Sequence, residues 1–367
     1  MIGQLREQKL RISTPGRICL FGEHQDYLHL PVLAAAISRR IHVEGARRKD
    51  RNITIDLPNI QQRESFEINH DIPYVKDRDY FRSVVNVLQR RGFTFSNGFD
   101  CVVRGNIPIN AGTASSSALV VGWTNFLVRL SDEKTILEPM EVARIAYEAE
   151  VLEFGEPGGM MDQYSTSVGG LLWIDPYPEI QIVQLRAKLN SLILGNSHLP
   201  KDTSFALARV KKRVQEIVRT LAARYPEFSL QTVSQDRLEV YKSSLDEVQF
   251  RLLTGTVRNR EISREAKNVL QQSPVDHKKL GDLLNDHQNV LRDILKISTP
   301  KIDRMIDAAM SAGAYGAKIN GSGGGGCMFA YASENPERVL EAVRRISDAF
   351  VVSIDDGSKE ERSEESL

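Results

Sequence analysis

Cysteine is scarce in this chain, with only Cys19, Cys101 and Cys327 among 367 residues. None of them forms a CxxC pair, so we expect neither a disulfide framework nor a zinc site, and the pattern favours a reducing compartment. No apolar run reaches membrane-spanning length, and the charged segment 1–11 has no apolar stretch typical of a secretory signal. These absences predict a cytoplasmic protein that has no membrane partner.

Net charge is also absent, because 48 basic residues balance 48 acidic ones. No overall positive field would recruit polyanions, so we expect no nucleic-acid partner. The basic cluster at residues 47–51 is predicted to be the solvated tip of a hairpin. The hydrophobic fraction of 41% is that of ordinary globular proteins, and the chain is long enough for two domains.

The organisation of the chain changes near residues 195–203, where strand-like sequence gives way to charged, amphipathic stretches that predict helices over 205–224, 235–253, 257–271 and 276–297. We therefore predict an N-terminal domain of residues 1–195 and a C-terminal domain of residues 196–354. Residues 355–367 are acidic and polar with almost nothing to bury, which predicts a disordered tail.

A loop rich in small and polar residues, 106–119 (NIPINAGTASSSAL), joins the predicted strand Phe99–Val103 to an apolar helical run. A loop that opens onto a helix N-terminus presents unpaired backbone N–H groups and the positive end of the helix dipole, which favours an anion such as phosphate. A capped core helix that binds nothing is the alternative. Trp123, within the apolar stripe of this helix, is predicted to be a core residue.

Two further polar turns follow predicted secondary structure. Residues 22–27 (GEHQDY) come directly after a buried-looking strand, where functional side chains often lie. Residues 155–163 (GEPGGMMDQ) present an acid, Asp162, directly after two methionines. A partly desolvated carboxylate at this position would suit a general base, while a helix N-cap is an equally good interpretation.

Glycine fills five of the six positions of residues 321–326 (GSGGGG), which lie between apolar runs. A flexible linker would have polar flanks, so we expect this backbone to approach another group closely or to adopt positive φ angles. The Gly-Lys-Ser/Thr ending of a Walker A loop is missing.

Taken together, these segments resemble the motifs of the GHMP kinase superfamily, and within it most closely those of the galactokinases. Residues 15–27 (PGRICLFGEHQDY) are similar to the first motif, PGRVNLIGEHTDY, and residues 106–119 to the ATP-phosphate motif PxGxGLSSSA. Residues 159–163 (GMMDQ) are similar to GIMDQ, and residues 321–327 to GAGxGGC. The resemblance covers roughly residues 13–354, with the motifs in the family's order.

The resemblance implies an α+β fold of two domains, with the active site in the cleft between them. It implies phosphorylation of the anomeric hydroxyl of a monosaccharide, galactose or a related aldose or uronic acid, with ATP and Mg²⁺. Another GHMP kinase of the heptose or mevalonate type is the alternative within the superfamily. A non-catalytic sensor of sugar and ATP on the same fold is the alternative from another class.

The resemblance also assigns roles to individual residues. Asp162 matches the catalytic aspartate, and Arg17 the arginine beside it. Ser116 and Glu150 match the two ligands of Mg²⁺. The residues matched to sugar binding are Glu23, His24, Asp26 and Gly159. The residues matched to the triphosphate loop are Asn110, Gly112, Ala114, Ser115, Ser116 and Ser117.

This sequence departs from the family pattern at three places. Asn110 and Ala114 replace glycine or serine in the phosphate loop. Residues 28–30 (LHL) stand where galactokinases have a glycine pair, and Gln25 replaces threonine beside the predicted sugar residues. Asn110 tolerates positive φ and Ala114 is small, so we expect the loop to keep its shape.

Overall fold

The structure is a computed structural model that describes residues 9–200, 203–332 and 334–361, with backbone only for 203–207. Within these ranges the strands are β1 (Leu10–Phe21), β2 (Val32–Arg47), β3 (Asn52–Leu57), β4 (Gln62–Glu67), β5 (Phe99–Gly105), β6 (Leu171–Asp175), β7 (Gln181–Leu185), β8 (Leu192–Asn196), β9 (Gly316–Ile319), β10 (Cys327–Tyr331), β11 (Ala349–Val352) and β12 (Lys359–Glu361). The α-helices are α1 (Tyr80–Arg90), α2 (Ser115–Leu130), α3 (Pro139–Tyr147), α4 (Met161–Val168), α5 (Thr203–Arg224), α6 (Glu247–Leu270), α7 (His277–Asp293), α8 (Pro300–Ser311) and α9 (Pro336–Arg344).

The strands form two sheets. The first contains eight strands in the order β12-β1-β2-β5-β3-β4, with β6 paired to β2 and β7 paired to β6. The second contains four antiparallel strands in the order β11-β8-β10-β9. The long strand β2 is the centre of the first sheet, because it pairs with β1 along its length, with β6 at its start and with β5 at its end.

Helix α2 packs against β1 and β2 and fixes the position of the loop that precedes it, residues 106–114. Its apolar stripe is buried, as the spacing predicts, and Trp123 is a core residue that stacks on Phe126 with ring centroids 5.4 Å apart. The indole N–H of Trp123 donates to the carbonyl of Phe81 at 3.1 Å. Truncation of such large buried side chains to alanine costs ~3–5 kcal/mol each, so this face of α2 is firmly held in the core.

An apolar layer joins the two sheets. Ile18 and Leu20 of β1 belong to the same buried cluster as Leu194 of β8 and Phe329 of β10. The two halves of the chain therefore share a core, and loops from both sheets meet at its edge. No helix in the described part of the chain is long and apolar enough to cross a membrane.

Strand β8 pairs with C-terminal strands, so the chain passes from one sheet to the other between residues 185 and 192. The domain boundary after residue 195 stays a prediction. The disordered tail is wrong for residues 355–361. Arg40 donates to the Asp355 carboxylate at 2.8 Å and to the Gly357 carbonyl at 2.8 Å, and β12 then pairs with β1. Residues 362–367 lie outside the described residues.

Two local predictions also need correction. Arg47 ends β2, and residues 48–51 form the bend after it, which is not a hairpin tip because β5 lies between β2 and β3 and pairs with both. The helices expected over 235–253 and 257–271 are a 3-10 segment, Gln235–Ser244, followed by the single helix α6. Asp246 and Gln249 form a capping box that starts α6, a start that the amphipathic pattern alone did not reveal.

Candidate active site

A cleft of about 280 Å³ lies between the two sheets, lined by the turn after β1, the loop before α2, the start of α4 and the loop between β9 and β10. Every residue predicted for the site lines it: Arg17, Glu23, His24, Asp26, Asn110, Gly112, Ala114, Ser115, Ser116, Ser117, Glu150, Gly159 and Asp162. Residues that the sequence reasoning missed also line it, among them Arg78, Tyr80 and Glu156, which belong to no recognised motif.

The loop before α2 places the uncapped N-terminus of this helix at the cleft. Asn110 and Ala114 adopt left-handed conformations, with φ of 53° and 58°, and Gly112 has φ of 82°. Ala114 is the N-cap residue, and no side chain caps the helix. The first backbone N–H groups of α2, at Ser115 to Ser117, therefore have no capping side chain and face a cavity that those residues line. This geometry favours an anion site over a capped core helix.

The carbonyl of Gly112 is a junction between the loops. It accepts from the Arg17 guanidinium at 2.5 Å and from the Asn320 side-chain amide at 2.8 Å. The next turn of the glycine-rich loop joins the same segment, since the Cys327 N–H donates to the Ala111 carbonyl at 2.8 Å. The glycine run therefore packs directly against the loop before α2.

The glycine run has both properties expected from its sequence. Its five glycines have positive φ angles between 76° and 144°. A Cβ on Gly321 would come within 2.8 Å of the Gly112 carbonyl, and one on Gly326 within 2.6 Å of the Ala111 carbonyl. A Cβ on Gly324 would meet nothing within 4 Å. The close approach thus requires glycine at some positions, and positive φ favours it at all five.

Arg17 and Asp162 form an ion pair at the centre of the cleft. Guanidinium nitrogens of Arg17 lie 2.8 Å and 2.5 Å from Asp162 Oδ1. The Arg17 side chain is 4% exposed, whereas that of Asp162 is 29% exposed. Burial lowers the pKa of Arg17, but the charge and hydrogen bond of Asp162, together with smaller effects of Cys19 and Glu23, outweigh it, and the net pKa is raised. Met160, not Asp162, is the N-cap residue of α4, so the N-cap interpretation of Asp162 is wrong.

Glu150 lies in a π-helical turn, Glu148–Leu152, that continues α3. Such bulges re-aim side chains and are frequent at functional sites. The Glu150 carboxylate is buried and accepts from the Gln163 amide at 2.7 Å. Burial raises the pKa of Glu150, while hydrogen bonds from Ser116, Ser117 and Gln163 work against that shift. Glu150 and Ser116 thus line the same cleft, and their role as metal ligands stays a prediction.

Glu23 leads to two residues that sequence reasoning missed. Its Oε1 contacts the Lys318 ammonium, and its Oε2 lies 3.7 Å from His287 Nδ1, with all three side chains fully buried. Lys318 also donates to the carbonyls of Cys19 at 3.0 Å and Ile319 at 2.9 Å. Burial, with the nearby Lys318 charge, lowers the pKa of His287 strongly, so this ring is neutral. A lysine inside the apolar run of β9 was the available clue.

The other predicted substrate-side residues are also fixed by neighbours. Asp26 accepts from the backbone N–H of Met161 at 3.1 Å, and burial raises the pKa of its carboxyl group. A Cβ on Gly159 would come within 2.2 Å of the Asp26 carboxylate, so only glycine permits this approach. His24 bonds through Nδ1 to the Tyr27 hydroxyl at 2.7 Å and through Nε2 to the Ser322 carbonyl at 3.0 Å.

The residues that depart from the family pattern near residue 28 contact the helices of the C-terminal half. Leu28 and Leu30 are buried in the helical cluster of the C-terminal half, together with residues of α5 and α6. The amide of Gln25 donates to the Thr256 carbonyl of α6 at 3.2 Å. Gln25, Leu28 and Leu30 are not among the cleft-lining residues. These substitutions therefore tie the turn after β1 to the helices.

Comparison with known families gives three matches along the chain. Residues 79–170 match the GHMP kinases N terminal domain, residues 268–349 match GHMP kinases C terminal, and residues 4–47 match the galactokinase galactose-binding signature. The chain therefore belongs to the GHMP kinase superfamily. Its galactokinase homologues make it a kinase of the galactokinase-like class, which confirms the resemblance of the motifs.

Individual relatives cover nearly the whole chain. A galactokinase from Mannheimia succiniciproducens is 29% identical, over 93% of this chain and 89% of its own. A mevalonate kinase from Thermococcus sibiricus is 27% identical, over 90% and 92%. The crystal structure of Lactococcus lactis galactokinase complexed with galactose superposes with a TM-score of 0.86 at 21% identity, over 98% and 96%. This last match confirms the two-domain α+β fold.

The glycine run supplies a prediction with a built-in control. Gly326→Ala and Gly324→Ala place a Cβ at nearly the same φ, 77° and 76°, but only the first meets a backbone carbonyl. We expect Gly324→Ala to cost ~1–2 kcal/mol of unfolding free energy from the left-handed conformation. Gly326→Ala should cost clearly more, because the Ala111 carbonyl must move. Urea unfolding of both variants measures the difference, and equal losses would refute the close-approach argument.

The Glu23–Lys318 pair supplies a second prediction. Lys318→Met leaves the buried Glu23 carboxylate without its cation, which we expect to cost ~3–5 kcal/mol of stability. The double variant Lys318→Met/Glu23→Gln removes the orphaned charge and should recover most of that loss. Lys359→Met, which breaks an exposed pair with Asp356, is the control and should change stability by ~0–1 kcal/mol. A double variant less stable than Lys318→Met would contradict this account of the pair.

Proposed function

We propose that this protein transfers the terminal phosphoryl group of ATP to the anomeric hydroxyl of a monosaccharide, galactose or a related aldose or uronic acid. The observation that carries the proposal is the position of the galactose-binding signature. Its residues Glu23, His24 and Asp26 line the same cleft as the bare N-terminus of α2 and the Arg17–Asp162 pair. A sugar-type set of polar groups and an anion site thus open onto one cavity.

The phosphate groups of ATP belong at the N-terminus of α2. The N–H groups of Ser115, Ser116 and Ser117 and the helix dipole favour negative charge there. The loop before them is held by the glycine run through Gly112 and Ala111, so its shape exists before the nucleotide arrives. Phosphoryl transfer depends mainly on such positioning and on charge neutralisation.

The donor set at Ser116 and Glu150 fits Mg²⁺. Both residues offer oxygen ligands, which Mg²⁺ prefers, and both line the cleft. The described residues contain no group of three or more His, Cys, Asp or Glu side chains suited to a metal. Protein sites for Mg²⁺ commonly use one or two side chains and leave the rest to phosphate and water. When bound, Mg²⁺ neutralises phosphate charge.

Asp162 is the base in this proposal, and Arg17 is its partner. The exposed part of the Asp162 carboxylate faces the cleft, while the buried guanidinium holds it from behind. The cation holds the carboxylate in position, and the carboxylate takes the proton of the acceptor hydroxyl. Its positive charge also lies beside the centre where negative charge develops during transfer.

Glu23, His24 and Asp26 are the proposed sugar ligands. Lys318 fixes one oxygen of Glu23 and the Met161 N–H fixes one oxygen of Asp26, so both carboxyl groups are oriented before a ligand binds. Preorganised acceptors of this kind suit hydroxyl groups of defined geometry. Gly159 brings backbone close to Asp26 at the same place.

Mevalonate or heptose phosphorylation on the same scaffold is the alternative, and the mevalonate kinase relative keeps it open to test. The signature match at residues 4–47 supports the sugar. The intact Arg17–Asp162 pair argues against a non-catalytic sensor. We place the enzyme in the cytoplasm, because its three cysteines are all buried and none of them forms a disulfide.

An acceptor panel tests the proposed function. Purified protein with ATP and Mg²⁺ is offered galactose, other aldoses, uronic acids, heptose phosphate and mevalonate, and ADP release is followed while ³¹P NMR locates the product phosphate. We expect turnover of an aldose or uronic acid with the phosphate on the anomeric oxygen. Asp162→Asn, expected to lose about 10²–10⁴-fold in rate, controls for contaminating kinases. Turnover of mevalonate alone, or of no acceptor, would overturn the proposal.

A further inference from the structure

A second cavity, of about 190 Å³, lies among the helices of the C-terminal half and shares no lining residue with the cleft. It is formed by α5, the start of α6 and the segment that ends α7. Its charged lining consists of the four cations Arg209, Arg213, Arg251 and Lys296 and the single acid Asp293. In a chain of zero net charge, four cations around one small cavity form a marked local concentration.

The positive charge of this cavity is largely uncompensated. Asp293 is already held by Arg292, which lies outside the lining, with nitrogen and oxygen 2.9 Å apart. That bond, with weaker effects of Lys296 and Arg251, lowers the pKa of Asp293. Within the described part of the chain, Arg213, Arg251 and Lys296 form no ion pair. Three of the cations that line this cavity are therefore not paired with a carboxylate in the described part of the chain.

The remaining lining is apolar. Val210, Leu252 and Leu295 are buried, with at most 7% of each residue exposed, and Val248 beside them is 66% exposed. Apolar walls with a few converging charges are typical of small-molecule sites. A ligand of matching chemistry carries a phosphate group and a compact carbon body.

The floor of this cavity connects to the active-site cleft. Arg209 donates to the backbone carbonyl of Lys296 at 3.1 Å, which ties α5 to the segment after α7. One residue further on, the carbonyl of Ile297 accepts from the N–H of Gly324, in the glycine run, at 2.7 Å. A Cβ on Gly323 would lie 2.5 Å from that of Ile297. Residues 295–297 thus lie between the cavity and the loop that supports Gly112.

We propose that this cavity is a second ligand site, which binds a small phosphorylated molecule, and that its occupancy acts on the kinase cleft through residues 295–297. The ligand's phosphate pairs with Arg213, Arg251 and Lys296, and its carbon body contacts Leu252 and Leu295. A ligand bound there contacts Arg209, which is hydrogen-bonded to the segment after α7. Because the glycine run is bonded to that segment, the ligand changes the stability of the loop behind the cleft.

Titration calorimetry with inorganic pyrophosphate tests the binding. The wild-type chain should show two components, one at the start of α2 and one at the second cavity. Arg213→Glu/Arg251→Glu should weaken the second component about tenfold or more and leave the first. Arg219→Glu/Arg237→Glu, which makes the same charge change at exposed arginines outside the cavity, should keep both, and Ser116→Glu should lose only the first. An unchanged isotherm in the Arg213/Arg251 variant, or the same loss in the Arg219/Arg237 variant, would overturn the site.

Hydrogen exchange of the amides at residues 323–326 tests the coupling. It is measured in the Ser116→Glu background, where pyrophosphate no longer occupies the start of α2. We expect pyrophosphate to slow exchange at these amides, and the slowing to vanish when Arg213→Glu/Arg251→Glu is added. Binding without any change in exchange would refute the coupling while leaving the site itself intact. Neither measurement depends on which acceptor the enzyme phosphorylates.

Discussion

The Gly112 carbonyl joins separate segments of the active site through its hydrogen bonds. It accepts from Arg17 of β1 and from Asn320, which directly precedes the glycine run, two groups about three hundred residues apart in sequence. Arg17 extends the connection to Asp162, so one buried cation fixes both the phosphate-type loop and the proposed base. A buried guanidinium is costly unless its donors are used, and here they are bonded to both groups.

This arrangement makes the cleft a product of both sheets. The first sheet, with the helices packed on it, carries Arg17, the start of α2 and Asp162. The second sheet carries Lys318 on β9 and the glycine run between β9 and β10. Glu23, in the turn after β1, depends on Lys318 for its counter-charge. The apolar layer that joins the sheets keeps these partners at bonding distance. Small movements between the sheets would therefore reach the phosphate loop and the substrate side of the cleft together.

Much of the site was predictable because its motifs are local. The loop before α2, the GMMDQ turn and the glycine run are each visible in the local sequence, and their resemblance to the family motifs pointed to Ser116 and Asp162. The residues that were missed act over long distances. Lys318 and His287 lie in ordinary strand and helix patterns, and only the fold brings them to Glu23. The pairing of β12 with β1 was not predicted for the same reason. The contacts that order residues 355–361 come from the distant Arg40 and are not visible in the composition of the segment.

We propose that Arg17 and Asp162 act as one unit in phosphoryl transfer. A double-mutant cycle of kcat/KM tests it, with Arg17→Met, Asp162→Asn and the combined variant assayed on the acceptor that the panel identifies. If the pair is a unit, the combined variant should lose little more activity than the more damaged single variant. Losses that multiply would show that Arg17 and Asp162 contribute independently, and would contradict the account.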